Sequence, residues 1–352
     1  MGRADGRVMM IAGSHSRVVE LKRIAINGMG RTGRVMLRRL LLANQWDLEL
    51  VAVNDIADPE NIAYLVKYDS VHGRLRDPVR FENGRLFVGD RSVMLLRESE
   101  PRNLPWKALG VEVVIECTGQ FTARRAAARH LEAGARRVLL GAPSPDADAT
   151  IVLGVNEAIF DPALHRIVSN ASCTTNSLAP PLKVLIDAFG VEEVVATTVH
   201  AYTASQGIVD KPAKKKHRGR AAAVSMIPTT TGADAATVQV IPQLADRIRV
   251  LAIRVPIPDG SLTDLSVHLT RTASAADVNA ALRTAANGPL AGVLAYSEEE
   301  LVSVDIVGEP YSGIVHAAAT TVAGNLAKIL VWYDNEVGYS HRCLDLVDRL
   351  AF

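Results

Sequence analysis

The sequence has little cysteine, few aromatic residues and almost no net charge. Its three cysteines, Cys117, Cys173 and Cys343, are too few and too scattered for a disulfide framework or a zinc site. The 39 Lys and Arg residues nearly balance 38 Asp and Glu residues, so a net charge of +1 gives no general attraction to nucleic acid or to an acidic membrane surface. No apolar run approaches the ~20 residues that a membrane span needs. We therefore expect a cytoplasmic protein with no metal, no membrane partner and no nucleic-acid partner.

Apolar residues, in contrast, are abundant and make up 48% of the 352 residues. Such a chain can bury a large core, and its length predicts about two domains at roughly 150 residues each. Residues 1–20 contain only a short apolar patch, below the ~7 to 15 residues of a signal-peptide core. We interpret them as a disordered tail or an over-long start.

The first half of the chain alternates predicted strands with predicted helices. A strand, a glycine-rich loop, a helix and a second strand follow one another within about 30 residues, the unit that builds a parallel sheet. The predicted strands are 23–27, 48–53, 111–116, 137–141 and 150–155, and the predicted helices are 33–44 and 123–133. We predict a doubly wound parallel sheet, the Rossmann arrangement that binds dinucleotides, over residues 21–172.

The second half is richer in strands. One predicted helix, 177–189, precedes predicted strands at 193–201, 250–255, 262–271 and 329–333. Runs of strands with few helices favour an α+β domain with a mainly antiparallel sheet, which we place at residues 173–334. A turn and a helix at 335–352 would return to complete the first domain. The overall fold class is therefore α/β.

The first loop carries a GxGxxG pattern between strand and helix: Gly28-Met29-Gly30-Arg31-Thr32-Gly33. Glycines there permit a tight turn and a close approach of the backbone, so that a pyrophosphate can bind the free N–H groups of the helix. Asp55 closes the second strand, where its carboxylate can accept hydrogen bonds from an adenosine ribose and repel a 2′-phosphate. A purely structural glycine turn is the alternative, and the register of strand, helix and acid disfavours it.

Cys173 lies among small polar residues just before a helical run, in Ser169-Asn170-Ala171-Ser172-Cys173-Thr174-Thr175-Asn176. A helix N-terminus stabilises a thiolate and lowers the thiol pKa, which predicts a nucleophile. His200 ends an apolar strand and is the best candidate for the base that would pair with it. A lone histidine is more often structural, and Cys117 and Cys343 are interpreted as small buried apolar residues.

Two further segments offer groups that hold phosphate. Thr229-Thr230-Thr231-Gly232 supplies hydroxyls and a backbone N–H, and Arg254 supplies a permanent cation, although each is commonplace alone. Residues 211–220 contain six Lys or Arg and no acid. They form either a solvated loop or a surface that attracts anions, and the lack of aromatic residues argues against nucleic-acid binding.

These segments together resemble the family of phosphorylating glyceraldehyde-3-phosphate dehydrogenases (type I) from about Leu21 to Phe352. The Cys173 segment is the most specific of the motifs, and all of them occur in order. The matching stretches are residues 26–34, 53–55, 67–73, 169–176, 198–203, 220–223, 231–232, 254–256 and 332–339.

The resemblance implies a role for each motif. Cys173 would attack the aldehyde with help from His200, and a Cys173 thioester would be cleaved by inorganic phosphate. The residues that would bind NAD are Gly28, Met29, Gly30, Arg31, Thr32, Gly33, Asp55, Thr118, Gly119, Asn335 and Tyr339. Those that would bind glyceraldehyde 3-phosphate or inorganic phosphate are Ser172, Thr174, Thr203, Thr231, Gly232 and Arg254. Members of the family are usually homotetramers, so we expect a homotetramer.

Some positions leave alternatives open. Lys211 stands where NAD-specific members usually have Leu, and a lysine there could tolerate the 2′-phosphate of NADP, but Asp55 and Pro212 favour NAD. Met29 also occurs in erythrose-4-phosphate dehydrogenase, a paralogue that typically lacks the Asn-Asp and His-Ala-Tyr-Thr segments found here. An arsenate-linked paralogue remains open. A thiol redox sensor or nucleic-acid-binding protein without catalysis is disfavoured by the intact Cys173, His200, Arg254 and Asn335 set.

Overall fold

The computed structural model describes residues 21–43 and 45–350. The predicted N-terminal tail, residues 1–20, lies outside the described residues, as do residues 44, 351 and 352 of the predicted helical segments. Two sheets organise the described chain, one of nine strands and one of eight. None of the helices within the described ranges combines the length and the apolarity needed to cross a bilayer.

The first sheet is mostly parallel and is built by residues 22–169. Its strands run in the order β3-β4-β5-β2-β1-β6-β7-β9-β8, and only the β3-β4 and β4-β5 pairs are antiparallel. The strands are β1 (Lys22–Asn27), β2 (Leu48–Asn54), β3 (Val79–Glu82), β4 (Arg85–Val88), β5 (Arg91–Leu96), β6 (Val113–Glu116), β7 (Arg137–Leu140), β8 (Ala149–Thr150) and β9 (Ile167–Ser169). The helices are α1 (Arg31–Leu42), α2 (Pro59–Lys67) and α3 (Arg124–Glu132).

The second sheet is mainly antiparallel and is built by residues 191–333. Its order is β11-β12-β10-β13-β17-β15-β14, with β16 on β17, and β10-β12 and β14-β15 are its parallel pairs. The strands are β10 (Val191–Ala201), β11 (Ile227–Thr230), β12 (Ile248–Val255), β13 (Ser261–Leu269), β14 (Leu294–Ser297), β15 (Gly313–His316), β16 (Thr321–Ala323) and β17 (Leu326–Tyr333). The helices are α4 (Cys173–Phe189), α5 (Ala233–Val240) and α6 (Ala275–Ala286), and the mixed α/β fold class is confirmed.

The last helix, α7 (Val337–Arg349), packs back onto the first half of the chain. Its apolar face, with Cys343, Leu344 and Val347 fully buried, shares one core with strand β1 and helix α1. The other large core lies between the second sheet and helices α4 to α6. Because α7 starts four residues after β17 ends, residues 334–336 are held between the two sheets.

Two sequence predictions differ from the structure. The strand predicted at 150–155 has only its first residue in β8, because the Asn156 side chain turns the chain there. Its Nδ2 donates to the Thr150 carbonyl and its Oδ1 accepts the Val152 N–H, both at 2.9 Å. The helix predicted at 177–189 begins at Cys173 instead, since Ser172 caps it. The elements that were not predicted are helices α2, α5 and α6 and strands β3 to β5, β9, β11 and β14 to β16.

Candidate active site

The glycine loop meets the conformational demands of a dinucleotide turn. Gly28 has φ +101°, and a Cβ there would lie 2.7 Å from the Thr118 nitrogen. A Cβ on Gly33 would lie 2.0 Å from the Gly28 carbonyl oxygen, whereas one on Gly30 would meet nothing within 4 Å. Gly30 caps α1 without a side-chain hydrogen bond, so the first N–H groups of α1 stay available. These features fit the close approach and anion binding that a pyrophosphate needs.

Asp55 closes the loop at the end of β2. Its Oδ2 accepts the Met29 N–H at 2.7 Å and its Oδ1 accepts the Ala57 N–H at 2.9 Å, so the carboxylate fixes the glycine loop as well as facing the cleft. Thr118 is held by Glu116 Oε1, which accepts its N–H at 2.7 Å. The lining of this cleft of about 230 Å³ is Asn27, Gly28, Gly30, Asn54, Asp55, Ile56, Glu98, Ser99, Cys117, Thr118, Gln120 and Phe121.

Sequence reasoning missed several of these cleft residues. Asn54 precedes Asp55, and its Nδ2 donates to Asn27 Oδ1 at 2.7 Å and to the Glu98 carbonyl at 2.8 Å. Glu98 and Ser99 follow β5, which the sequence pattern did not reveal, so no signal pointed to them. The Asn-Asp dipeptide at the end of β2 was the available signal for Asn54.

The side chain of Arg31 forms ion pairs with two carboxylates. Its guanidinium donates to Asp69 at 2.8 and 3.0 Å and to Glu336 at 2.7 and 2.5 Å. Burial opposes ionisation of Asp69, but the hydrogen bonds from Arg31 and from backbone N–H groups dominate and lower its pKa to about 2. The side chain of Arg31 thus joins the glycine loop to α7, and its backbone N–H is what remains for a dinucleotide.

His72, Asp259 and Glu336 lie close enough for three ligand atoms to fall within 4.8 Å of one another. Glu336 Oε2, however, already pairs with Arg31 at 2.5 Å and His72 Nε2 at 2.9 Å. Burial, together with the neighbouring Asp334 and Glu336, raises the pKa of Asp259 well above its usual range and disfavours the charged carboxylate that a cation would need. The group is better described as an ion-pair network than as a metal site.

Cys173 occupies the first position of α4 because the residues before it are strongly constrained. Ser172 Oγ accepts the Thr175 N–H at 3.0 Å as a helix cap. Ala171 has φ +53°, and its carbonyl accepts the Tyr339 hydroxyl at 2.9 Å. Tyr339, predicted at the cofactor, therefore contacts the turn that presents Cys173.

His200 lies beside this thiol. Its Nε2 is 3.4 Å from Cys173 Sγ, and its Nδ1 is 2.7 Å from the Ala201 carbonyl oxygen. Nδ1 also lies 2.6 Å from Arg254 Nη1, and the tautomer with its proton on Nδ1 is the one that leaves the Nε2 lone pair facing the thiol. Arg254, the cross-strand partner of His200 on β12, donates to the same carbonyl at 2.8 Å. The pair is therefore arranged for transfer of the thiol proton to Nε2.

The pKa values of both members are shifted toward their neutral forms. Burial and the nearby Arg254 cation lower the pKa of His200 to about 3. Burial raises the pKa of the Cys173 thiol, although Arg254 and the Thr174 N–H act in the opposite direction. The sequence prediction of a lowered thiol pKa was wrong here because enclosure by protein outweighs the helix terminus. The thiol needs a base as it attacks.

The residues predicted to hold phosphate differ in how available they are to a ligand. Thr203 and Thr231 are partly exposed, and Gly232, the cap of α5, is open. Thr174 is buried, with its Oγ1 3.1 Å from the Tyr333 hydroxyl, which leaves its backbone for a ligand. Arg254 uses only Nη1 in the contacts with His200 and Ala201.

Arg218 is a site residue that the sequence reasoning did not single out. Its Nε donates to Thr229 Oγ1 at 2.9 Å and its Nη2 to the Thr230 carbonyl at 2.8 Å, so the basic run folds back onto β11. Its charge contributes to the lowered pKa of His200. The available signal was the cationic run itself, which was interpreted only as a general attractor of anions.

A glycine-rich cleft and a cysteine–histidine pair in one chain are together typical of dehydrogenases that bind a dinucleotide and use a thiol. Comparison with known proteins specifies the class further. Residues 22–124 match the family model described as glyceraldehyde 3-phosphate dehydrogenase, NAD binding domain, and residues 172–335 match the one described as glyceraldehyde 3-phosphate dehydrogenase, C-terminal domain. The chain belongs to the glyceraldehyde-3-phosphate dehydrogenase family, and the resemblance drawn from its motifs is confirmed.

Curated relatives match along nearly their whole length. The chain is 50% identical over 331 residues to the glyceraldehyde-3-phosphate dehydrogenase of Kitasatospora aureofaciens, covering 94% of this chain and 99% of the relative. It is 48% identical over 330 residues to the enzyme of the same name from Geobacillus stearothermophilus and to glyceraldehyde-3-phosphate dehydrogenase 1 of Bacillus subtilis (strain 168), covering 94% of this chain and 98% of each relative. The predictions of an oxidoreductase and of NAD as cofactor are confirmed.

Proposed function

We propose that this protein catalyses the NAD-dependent, phosphorylating oxidation of D-glyceraldehyde 3-phosphate to 1,3-bisphosphoglycerate. The observation that carries the proposal is the 3.4 Å approach of Cys173 Sγ to His200 Nε2 at the start of α4, in a chain of this family. NAD, when bound, supplies the acceptor for the hydride that leaves the substrate.

The first chemical step belongs to the thiol and the imidazole. Cys173 Sγ forms a bond to the aldehyde carbon while His200 Nε2 takes the thiol proton, giving a hemithioacetal whose oxygen carries the negative charge. Loss of hydride from that carbon restores the carbonyl and leaves a thioester on Cys173. An oxygen of inorganic phosphate then attacks the thioester carbon, the C–S bond breaks, and the sulfur recovers its proton from His200. The acyl phosphate retains free energy that hydrolysis of the thioester would lose.

Two sets of residues would hold the two phosphates. Thr203 and the free nitrogens of Arg254 would bind the phosphate of the substrate, because a guanidinium donates two parallel hydrogen bonds to such a group. Ser172, Thr174, Thr231 and Gly232 would bind inorganic phosphate, Thr174 through its backbone. The partly exposed Thr231 and the open Gly232 support this assignment.

The dinucleotide would lie along the glycine loop and extend to the start of α7. Asn335, between β17 and α7, would orient the carboxamide of the nicotinamide, while Tyr339 would act through the Ala171 turn. The remaining proposed contacts are Gly28, Met29, Gly30, Arg31, Thr32, Gly33, Asp55, Thr118 and Gly119. We also propose residues 21–172 and 173–334 as the two domains, with 335–352 completing the first.

We further propose a cytoplasmic homotetramer. The segment that leads from β10 to β11 exposes four large apolar side chains, Ile208, Val209, Val224 and Met226, between 66% and 80% each. Such a cluster on a loop supports burial against another copy of the chain. The three cysteines are free thiols, which supports a reducing compartment.

A substrate panel tests the proposed function. NAD reduction should be fast with glyceraldehyde 3-phosphate, should require inorganic phosphate for turnover, and should be slower with erythrose 4-phosphate or with NADP. A higher kcat/KM for erythrose 4-phosphate would assign the chain to the paralogue instead. Turnover that is indifferent to phosphate would contradict the acyl-phosphate product.

A further inference from the structure

Ser261, at the start of β13, links two parts of the proposed active site through a single hydroxyl. The residue is 1% exposed, and its Oγ donates to Asn335 Oδ1 at 2.6 Å. The same Oγ accepts the Ala201 N–H at 3.2 Å. The hydroxyl accepts the Ala201 N–H with a lone pair, which leaves its single proton for donation to Asn335 Oδ1. The contact thereby distinguishes the two ends of the Asn335 amide, with Oδ1 held inward and Nδ2 directed away from Ser261.

The backbone on both sides of this contact is rigid. Gly260 precedes Ser261 with φ +85°, and a Cβ there would lie 2.4 Å from the Ser303 carbonyl oxygen. Ser261 is paired in register with Tyr333 on β17, two residues before Asn335. The hydroxyl is thus held at the start of β13, and the amide lies two residues beyond the end of the adjacent strand β17.

The other neighbour of Ser261 belongs to the base. Ala201 follows His200 on β10, and its carbonyl oxygen is the group 2.7 Å from His200 Nδ1. The two backbone groups of Ala201 therefore contact both sides: its carbonyl oxygen lies at the imidazole, and its N–H donates to the hydroxyl that contacts Asn335. Asn335 itself is only partly buried, and within the described chain its Nδ2 has no hydrogen-bond partner in the protein.

We propose that Ser261 is a positioning residue that fixes the Asn335 amide with Nδ2 as the donor to the carboxamide oxygen of the nicotinamide, and that ties this amide to the strand end carrying His200. The inference rests on the proposed function, because it takes Asn335 as the contact of the nicotinamide. Without the serine hydroxyl, the amide can turn and offer Oδ1 in place of Nδ2. Binding of the nicotinamide half is then weakened, while the adenosine half is unaffected.

The test compares NAD with ADP-ribose, which lacks the nicotinamide. Both affinities are measured by calorimetry, without aldehyde or phosphate, for the full chain and for Ser261→Ala, Asn335→Ala and the double variant. Ser261→Ala should weaken NAD by roughly threefold to tenfold, the range for one lost hydrogen bond, and leave ADP-ribose unchanged. In the double variant, the serine change should add nothing to the loss caused by Asn335→Ala. Ser266→Ala, on the same strand, is the matched control and should change neither affinity.

ADP-ribose affinity also reports the integrity of the fold in each variant. Equal weakening of NAD and ADP-ribose, no change in NAD affinity, or a full additional loss in the double variant would overturn the positioning role. Failure of the unmodified protein to oxidise glyceraldehyde 3-phosphate would reject the proposed reaction and would leave these affinities measurable. The two failures are therefore distinguishable.

Discussion

Replacement of His200 by asparagine isolates the contribution of the base. Asparagine cannot take a proton, but its Nδ2 can replace Nδ1–H as donor to the Ala201 carbonyl, so the end of β10 should keep its position. Loss of the contact between Nε2 and Sγ, 3.4 Å in the native chain, should slow acylation of Cys173 by about 10²- to 10⁴-fold. That factor corresponds to about 3 to 5 kcal/mol of activation free energy.

The assay is a single turnover with glyceraldehyde 3-phosphate and without phosphate, followed by NADH absorbance. NAD affinity, measured separately, should be unchanged because His200 is not one of the residues proposed to bind NAD. His268→Asn is the matched control, since His268 is exposed on β13, where its Nδ1 lies 3.0 Å from Glu192 Oε2. A His200→Asn variant that acylates at the native rate would refute the assignment of the base.

Further predictions concern the cleft, the cofactor and the stability of the chain. Gly30→Ala should fold normally and bind NAD at least tenfold more weakly. Gly28→Ala should in addition lower the free energy of unfolding by about 1–3 kcal/mol, because its Cβ would meet backbone atoms at φ +101°. Equal stability of the two variants in urea would contradict this. Asp55→Asn should reduce the NAD-to-NADP ratio of kcat/KM by roughly tenfold, since it removes a charge that repels a 2′-phosphate; an unchanged ratio would place discrimination elsewhere. Burial lowers the pKa of His341 to about 4 from 6.5. Between these two pH values the imidazole is protonated in the unfolded chain but not in the native chain, so stability declines as the pH falls from 6.5 toward 4. The loss of unfolding free energy between pH 7 and pH 4.5, measured in urea, should be smaller by about 2 kcal/mol in His341→Phe than in the unmodified chain. An identical loss in the two proteins would argue against the buried neutral imidazole.

The Rossmann half of the fold could be predicted because its signals are local. Its signals follow one another within about 35 residues: a strand, three glycines, an amphipathic helix and Asp55. Each of them has a local physical cause in the backbone or in the periodicity of the sequence. The hairpins of β3 to β5 could not be predicted, since their short strands expose one face and carry weak periodicity. Cys173 was recognisable from its polar neighbours, and its place on α4 follows from the Ser172 cap.

Contacts between distant segments were beyond the sequence. The glycine motif predicts that Arg31 contacts the cofactor. Its guanidinium instead pairs with Asp69 and Glu336, which lie far along the chain. The pKa of Cys173 depends on burial in the folded chain, so the position at a helix N-terminus alone predicted the wrong direction of the shift. Ser261 carries no motif at all, and only the register of β13 on β17 brings it to Asn335.

The central claim is that the oxidised substrate is carried by Cys173. Protein mixed with NAD and glyceraldehyde 3-phosphate in the absence of phosphate should be quenched in acid, digested and analysed by mass spectrometry. We expect a 3-phosphoglyceroyl group on the peptide that contains Cys173, lost within one turnover when phosphate is added, and no adduct in Cys173→Ser. NADH formation without that adduct, or an adduct on Cys117 or Cys343 in place of Cys173, would contradict the account.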